Sequence, residues 1–201
     1  MSHQKQFRLD MLTKFSQILT FSNVSSISYG DPYSGINLDI PAAVLIPLVF
    51  DDMEGKVLFT RRANNMAYHS GEICFPGGCV DPLDKNIRST VMREVYEEIG
   101  VKSNLIEIIG MLDSYKTKTG FLITPFLGIL SNGNNFTLSP SEVSEIFCVP
   151  LEYILDLSNY YSMKKTIDGI EHIYWNLNWK DYHIWGTTAG ILVELNRRLS
   201  Q

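Results

Sequence analysis

Apolar residues recur along this chain with two periods, and the switches between them mark its elements. Ala42–Phe50 (AAVLIPLVF) is apolar at almost every position, which suits a central strand covered on both faces rather than a half-exposed one. After the turn DDMEGK, Val57–Arg62 (VLFTRR) predicts a second strand. Cys74–Gly78 (CFPGG) predicts a short strand ending in a bend that glycine permits. The period then lengthens. Val91, Met92, Val95 and Ile99 fall at helical spacing and Gly100 supplies a stop, so Asp84–Gly100 holds a loop and a helix with those four as its buried stripe. LIEIIGML, FLITPFLGIL and SEIFCVPL read as strands, LEYILDL as a short helix, and HIYWNLNW as a strand after the turn DGIE. Trp185–Leu199 predicts the closing helix, with Thr187 or Thr188 near its start.

At the other end, Phe7, Met11, Phe15, Ile18 and Leu19 lie near helical spacing. They predict an amphipathic helix docked on the core, with an organelle transit segment as the alternative. Residues 21–41 are rich in Ser, Gly, Asn, Asp and Pro and read as a connecting loop. The expected organisation is an N-terminal helix and loop over 1–41 packed on one domain over 42–201. Interleaved strands and helices make that domain an α/β sandwich of mixed sheet and flanking helices.

Composition narrows the function. The 201 residues can bury a core, and 45% hydrophobic content argues against disorder. A net charge of −5 and a pI near 5.3 disfavour nucleic acid and anionic membranes as partners. They leave room for a small anionic substrate held by a metal and a few cations. No apolar run reaches the roughly 18–20 residues that span a bilayer. Cys74, Cys79 and Cys148 lack the close-paired spacing of a zinc site and read as reduced core thiols of a cytoplasmic protein.

The unusual stretch is REVYEEIGV, Arg93–Val101. At about 100° per residue, Glu97 and Glu98 lie about 60° and 40° to either side of Glu94, so all three share one helical face apart from the Val95/Ile99 stripe. Arg93 is placed to pair with Glu97 at i,i+4. Acids spaced like this repel one another and sit at the wrong end of the helix dipole. A solvated acidic face is the plain reading; a site for Mg²⁺ or Mn²⁺, which favour oxygen ligands, is the sharper one.

The neighbouring residues favour the metal. Arg93, Glu94, Val95, Glu97, Glu98, Gly100 and Val101 match the second half of the Nudix box, G-x5-E-x7-R-E-U-x-E-E-x-G-U, so the sequence resembles the Nudix hydrolases. The first half departs: Lys85 stands at the Glu position beside Asp84, and Cys79 at the Gly position just after Gly77 and Gly78. Leu58, Thr60, Arg62, Ala63, Gly71, Phe75, Pro76, Gly77, Gly78, Asp81 and Asp84 are similar to the signature of the coenzyme A pyrophosphatase branch, as is WGTTAGI, Trp185–Ile191. Ala67 replaces that signature's second Arg.

The resemblance implies a Nudix-type α/β/α sandwich. It also implies a metal-dependent pyrophosphohydrolase giving 3′,5′-ADP and 4′-phosphopantetheine or its acyl form. Another nucleoside-diphosphate substrate (a nucleotide sugar or dinucleotide) and a non-catalytic binding module are the alternatives. It makes Glu94, Glu97 and Glu98 metal ligands, completed by a backbone carbonyl near Gly78, with Arg93 orienting them. Glu142, in the loop SPSEVSEIF, and Glu98 compete as general base. Arg62, Gly77 and Gly78 are candidates for substrate binding, His69 for a structural hydrogen bond, and Lys116 and Lys118 for exposed surface. Monomer and homodimer both remain open.

Overall fold

The structure, a computed structural model, describes residues 39–50, 54–66, 69–117, 119–131, 135–167 and 170–200, together with Met11, Thr13 and Phe15. Ala67, Lys118, most of the connecting loop, and Phe7, Ile18 and Leu19 of the expected first helix lie outside these residues. The doubly apolar strand is central, as its pattern demands. β1 (Ile40–Phe50) runs parallel to β7 (Phe121–Leu130), with Ile40 opposite Phe121 and Val49 opposite Leu130. On its other side it pairs antiparallel with β4 (Gly77–Cys79) at Ala42–Val44, then with β2 (Gly55–Arg62) at Leu48–Phe50. Pro47, which has no N–H to donate, falls in the gap between those two partners. Pro125 of β7 occupies a matching gap, between pairing with β6 (Tyr115–Lys116) and with β5 (Ile106–Met111). β3 (Ile73–Cys74) and β8 (Val143–Pro150) both pair with β2 and complete an eight-stranded mixed sheet.

Successive residues of β1 feed opposite cores, because strand side chains alternate. Ala43 and Leu45 join Val91, Val95 and Ile99 of α1 (Ile87–Ile99) on one face. Ile46 and Leu48 join Ala189, Leu192 and Leu195 of α3 (Gly186–Leu199) on the other. Full burial of such side chains stabilises by roughly 1.5–3 kcal/mol each. The α/β sandwich expected from the pattern is therefore observed. Met11, Thr13 and Phe15 are helical, and Phe15 is completely buried in the α3-side core. After α2 (Leu151–Leu155), a separate antiparallel sheet is formed by β9 (Tyr160–Ile167), β10 (Ile170–Trp179) and β11 (Tyr182–Trp185).

Two expectations need correction, on CFPGG and on the cysteines, and one strand was missing from them. CFPGG is two strands, since Gly77 and Gly78 pair with Val44 and Ala43 instead of forming a free bend. β9 was not expected: Tyr161 and Met163 alternate with Ser162 and Lys164, but all four are exposed and bury no face, and pairing with β10 makes it a strand. Thr187 and Thr188 lie in the first turn of α3, as expected; Trp185 is its N-cap without a side-chain bond, and the Thr188 hydroxyl donates to the Ile73 carbonyl, 3.2 Å away. Cys79 and Cys148 are exposed, at the end of β4 and on the outer strand β8.

Candidate active site

The site is assembled where α1 crosses β4. A reciprocal capping box starts the helix: the Asn86 side chain accepts from Ser89 N–H, and the Ser89 hydroxyl accepts from Asn86 N–H, both at 2.9 Å. Gly100, at φ 74°, ends it in the left-handed conformation. Two glycines let the layers approach. A Cβ on Gly77, where φ is 151°, would lie 2.2 Å from the Ala43 carbonyl oxygen. A Cβ on Gly78 would lie 2.5 Å from the carboxyl carbon of Glu94. The glycine turn is thus a seat for carboxylates, and the Gly77 N–H donates to Glu98 Oε2 at 3.1 Å.

Arg93 organises the cluster. Its Nε and Nη2 donate to the two oxygens of Asp84 at 3.1 and 2.9 Å, and Nη2 also donates to the Cys79 carbonyl at 3.1 Å. Nη1 bridges Glu94 at 2.8 Å and Glu97 at 2.9 Å. These contacts engage the five N–H donors of a guanidinium. Arg93 therefore fixes where these carboxylates stand, and the expected pair with Glu97 is one of its bonds. The carboxylates hold its proton more firmly than usual, with Asp84 the largest influence. Arg93 in turn holds Asp84 below the usual carboxylate range. Asp84 answers the departure at Lys85: an acid one residue earlier still reaches the arginine, which residue spacing alone did not reveal.

The three glutamates that share a helical face differ in depth. Glu97 is exposed, Glu94 has a side chain 14% exposed, and Glu98 is 4% exposed beside the Val95/Ile99 stripe. Burial, reinforced by the Glu94 and Glu142 charges, pushes Glu98 up to about 8 against the pull of the Gly77 N–H and Arg62. Glu94 is also raised, mainly by burial. Glu142 stands on the turn before β8 and its charge reaches both Glu94 and Glu98. Arg62, whose buried Nε has no hydrogen-bond partner among the described residues, reaches Glu98 and Cys74. Cys74, read as a core thiol, therefore borders the site; burial pushes it up to about 11. His69 contacts Glu72 at 2.9 Å, consistent with a structural hydrogen bond, and Lys116 pairs with Asp39 at 2.9 Å.

Among the described residues no three carboxylate, histidine or cysteine side chains converge on one coordination point as they stand, and Arg93 Nη1 lies between Glu94 and Glu97. The chemistry of the donors still fits a hard divalent cation. Among the described residues Asp84, Glu94, Glu97, Glu98 and Glu142 share this region with two guanidinium groups, Arg62 and Arg93. Glu94 Oε2 and Glu98 Oε1 accept no hydrogen bond from a described residue. Oxygen donors carrying excess negative charge are what Mg²⁺ and Mn²⁺ select.

A capped helix laid on a glycine strand of a mixed sheet, with Glu94 and Glu97 held by one arginine, belongs to a Nudix-type α/β fold. Residues 39–169 match the NUDIX domain, and the chain belongs to the Nudix hydrolases, which act on pyrophosphate bonds and generally use divalent metals. It is 40% identical over 154 residues to the uncharacterized Nudix hydrolase NudL of Enterobacter sp. (strain 638), covering 77% of this chain and 80% of that protein. It is 35% identical over 161 residues to NudL of Photorhabdus laumondii, covering 79% and 84%. The crystal structure of a MutT/nudix family protein from Enterococcus faecalis shares the fold at a TM-score of 0.51 and 15% identity, covering 96% of this chain and 70% of that one. No described helix is long and apolar enough to cross a membrane.

Proposed function

We propose that this Nudix hydrolase cleaves the pyrophosphate of coenzyme A or acyl-coenzyme A, releasing 3′,5′-ADP and (acyl) 4′-phosphopantetheine. Glu94, Glu97 and Glu98 hold Mg²⁺ or Mn²⁺, which when bound neutralises phosphoryl oxygens and lowers the pKa of water. Arg93 keeps the glutamates oriented. Arg62 contacts a phosphoryl oxygen, beside the backbone of Gly77 and Gly78. The Glu142 carboxylate takes the proton of the attacking water, with Glu98 the competing base.

The observation that carries the site is the buried Glu98 carboxylate, fixed by the Gly77 N–H beside Glu94 while Arg93 holds the rest. A stability-driven sequence would not bury an ionisable carboxyl group against a single described hydrogen-bond donor. The substrate rests on the coenzyme A pyrophosphatase-like residues. Support comes from the bond between Thr188 and the Ile73 carbonyl, which brings the two resembling segments, WGTTAGI and the one ending in FPGG, together. Coenzyme A, acetyl-coenzyme A, NADH and UDP-glucose, each with Mg²⁺ and Mn²⁺, form the test. Fastest turnover of the coenzyme A compounds, with release of 3′,5′-ADP, is expected. Preference for NADH or UDP-glucose would replace the substrate but keep the site, and turnover of none would overturn both.

A further inference from the structure

A β-bulge beside the site carries no role in the reading above. Between Arg61 and Arg62 the β2 strand advances one residue while β8 goes from Glu145 to Val143, leaving Ser144 unopposed. The Ser144 Oγ lies 3.2 Å from the Arg61 carbonyl oxygen and 3.3 Å from that of Arg62, so its hydroxyl closes the extra loop of backbone. Beyond the bulge Val143 stands opposite Arg62, and the Glu142 carbonyl accepts from Ala63 N–H at 2.8 Å. A regular ladder would displace this end of β8 by one residue, roughly 3.4 Å, and reverse which face its side chains occupy.

The pair just before the bulge is locked to the small sheet. Arg61 Nε donates to Glu145 Oε2 at 2.9 Å, and the Tyr182 hydroxyl donates to Glu145 Oε1 at 2.6 Å. Arg61 also lies over the Tyr182 ring, 5.4 Å from its centroid, and Tyr182 stacks on Phe147 at 3.6 Å. Register therefore cannot slip without breaking this clamp. Bulges often re-aim side chains next to active sites, and the residues just beyond this one are Arg62, opposite Val143, and then Glu142, opposite Ala63.

We propose that the Ser144 bulge, held by the Arg61–Glu145–Tyr182 clamp, aims Arg62 and Glu142 at the carboxylate cluster, making Ser144, Glu145 and Tyr182 positioning residues for catalysis. This rests on the roles given above to Arg62 and Glu142. The Arg62 Nε just beyond the bulge is buried and donates to no described residue.

The Ser144→Ala/Tyr182→Phe variant of the full chain removes the hydroxyl that closes the bulge and one arm of the clamp while keeping the chain length, and it tests the proposal in a double-mutant cycle. The readouts are kcat/KM on whichever panel substrate turns over, and Kd for imidodiphosphate in Mg²⁺. In the wild-type background the variant is expected to lower kcat/KM and weaken imidodiphosphate severalfold, with native circular dichroism. In an Arg62→Ala/Glu142→Gln background it should change either quantity less than twofold, because nothing is left to aim. Equal fractional losses in both backgrounds would overturn the proposal, since the bulge would then act only through general structure, and no loss in the wild-type background would overturn it as well. Silent Arg62→Ala and Glu142→Gln variants would instead remove the site assignment, and the proposal with it. If the double substitution prevents folding, Ser144→Ala alone goes through the same cycle with the same outcomes.

Discussion

Substituting the two adjacent glycines separately should split fold from chemistry. In Gly78→Ala the new Cβ would start 2.5 Å from the Glu94 carboxyl carbon and Oε1 and 2.7 Å from Oε2. Ordinary contact needs more than about 3.4 Å, so the carboxylate must retreat by roughly 1 Å. Glu94 can do so by rotating its side chain, and overpacking relieved this way costs at most about 1 kcal/mol, at the low end of such changes. The displaced group, however, is a proposed metal ligand. Losing a preorganised electrostatic contact typically lowers kcat by about 10²–10³. In Gly77→Ala the clashing atoms are backbone: the Ala43 oxygen at 2.2 Å and Val44 Cα at 2.6 Å, at a φ of 151°. No side-chain rotation relieves that contact, so about 3 kcal/mol or more of stability should be lost, through overpacking and backbone strain together. Thermal melts in EDTA and kcat at saturating Mg²⁺ read the two effects independently. The expected result is a stable, inactive Gly78→Ala and an unstable Gly77→Ala. Near wild-type turnover by Gly78→Ala would refute the placement of Glu94 at the reacting centre.

Glu97→Gln removes one exposed charge but keeps shape, so stability should stay within about 0.5 kcal/mol while kcat falls by about 10²–10³ if Glu97 holds metal; unchanged kcat would return it to a solvated face. The Tyr182 hydroxyl, followed by Arg61, depresses the pKa of Glu145. Its contribution is therefore present above the ordinary glutamate value and lost as pH falls through the depressed one. In Tyr182→Phe that contribution should be smaller and its loss complete at a higher pH, so stability should vary less with pH in the acid range, and superimposable acid-unfolding curves would contradict it. Ala67→Arg should lower KM for coenzyme A with little change in kcat, as expected for added ground-state binding; an unaltered KM would remove position 67 from substrate recognition.

Local chemistry determined much of this protein without help from the fold. The helical period of Val91, Val95 and Ile99 with Gly100 behind it located α1, and the unbroken apolar run of β1 announced a strand covered twice. Spacing also put Arg93 in reach of Glu97. These are short-range consequences of helix and strand geometry, so they are legible from neighbours in sequence.

Depth and aim were not. Glu97 and Glu98 are adjacent, yet only Glu98 is buried, because β4 rather than solvent lies beside it. Asp84, the Cys79 carbonyl and Glu94 meet on Arg93 only after β4 has docked against β1 and α1. β9 is exposed on both faces over Tyr161–Lys164 and exists through its pairing with β10. The bulge at Ser144 depends on a register between strands more than 80 residues apart. Periodicity tells a residue which way it faces along its own element; what it then meets is decided by the partner that packs there, and that was left to the tertiary structure.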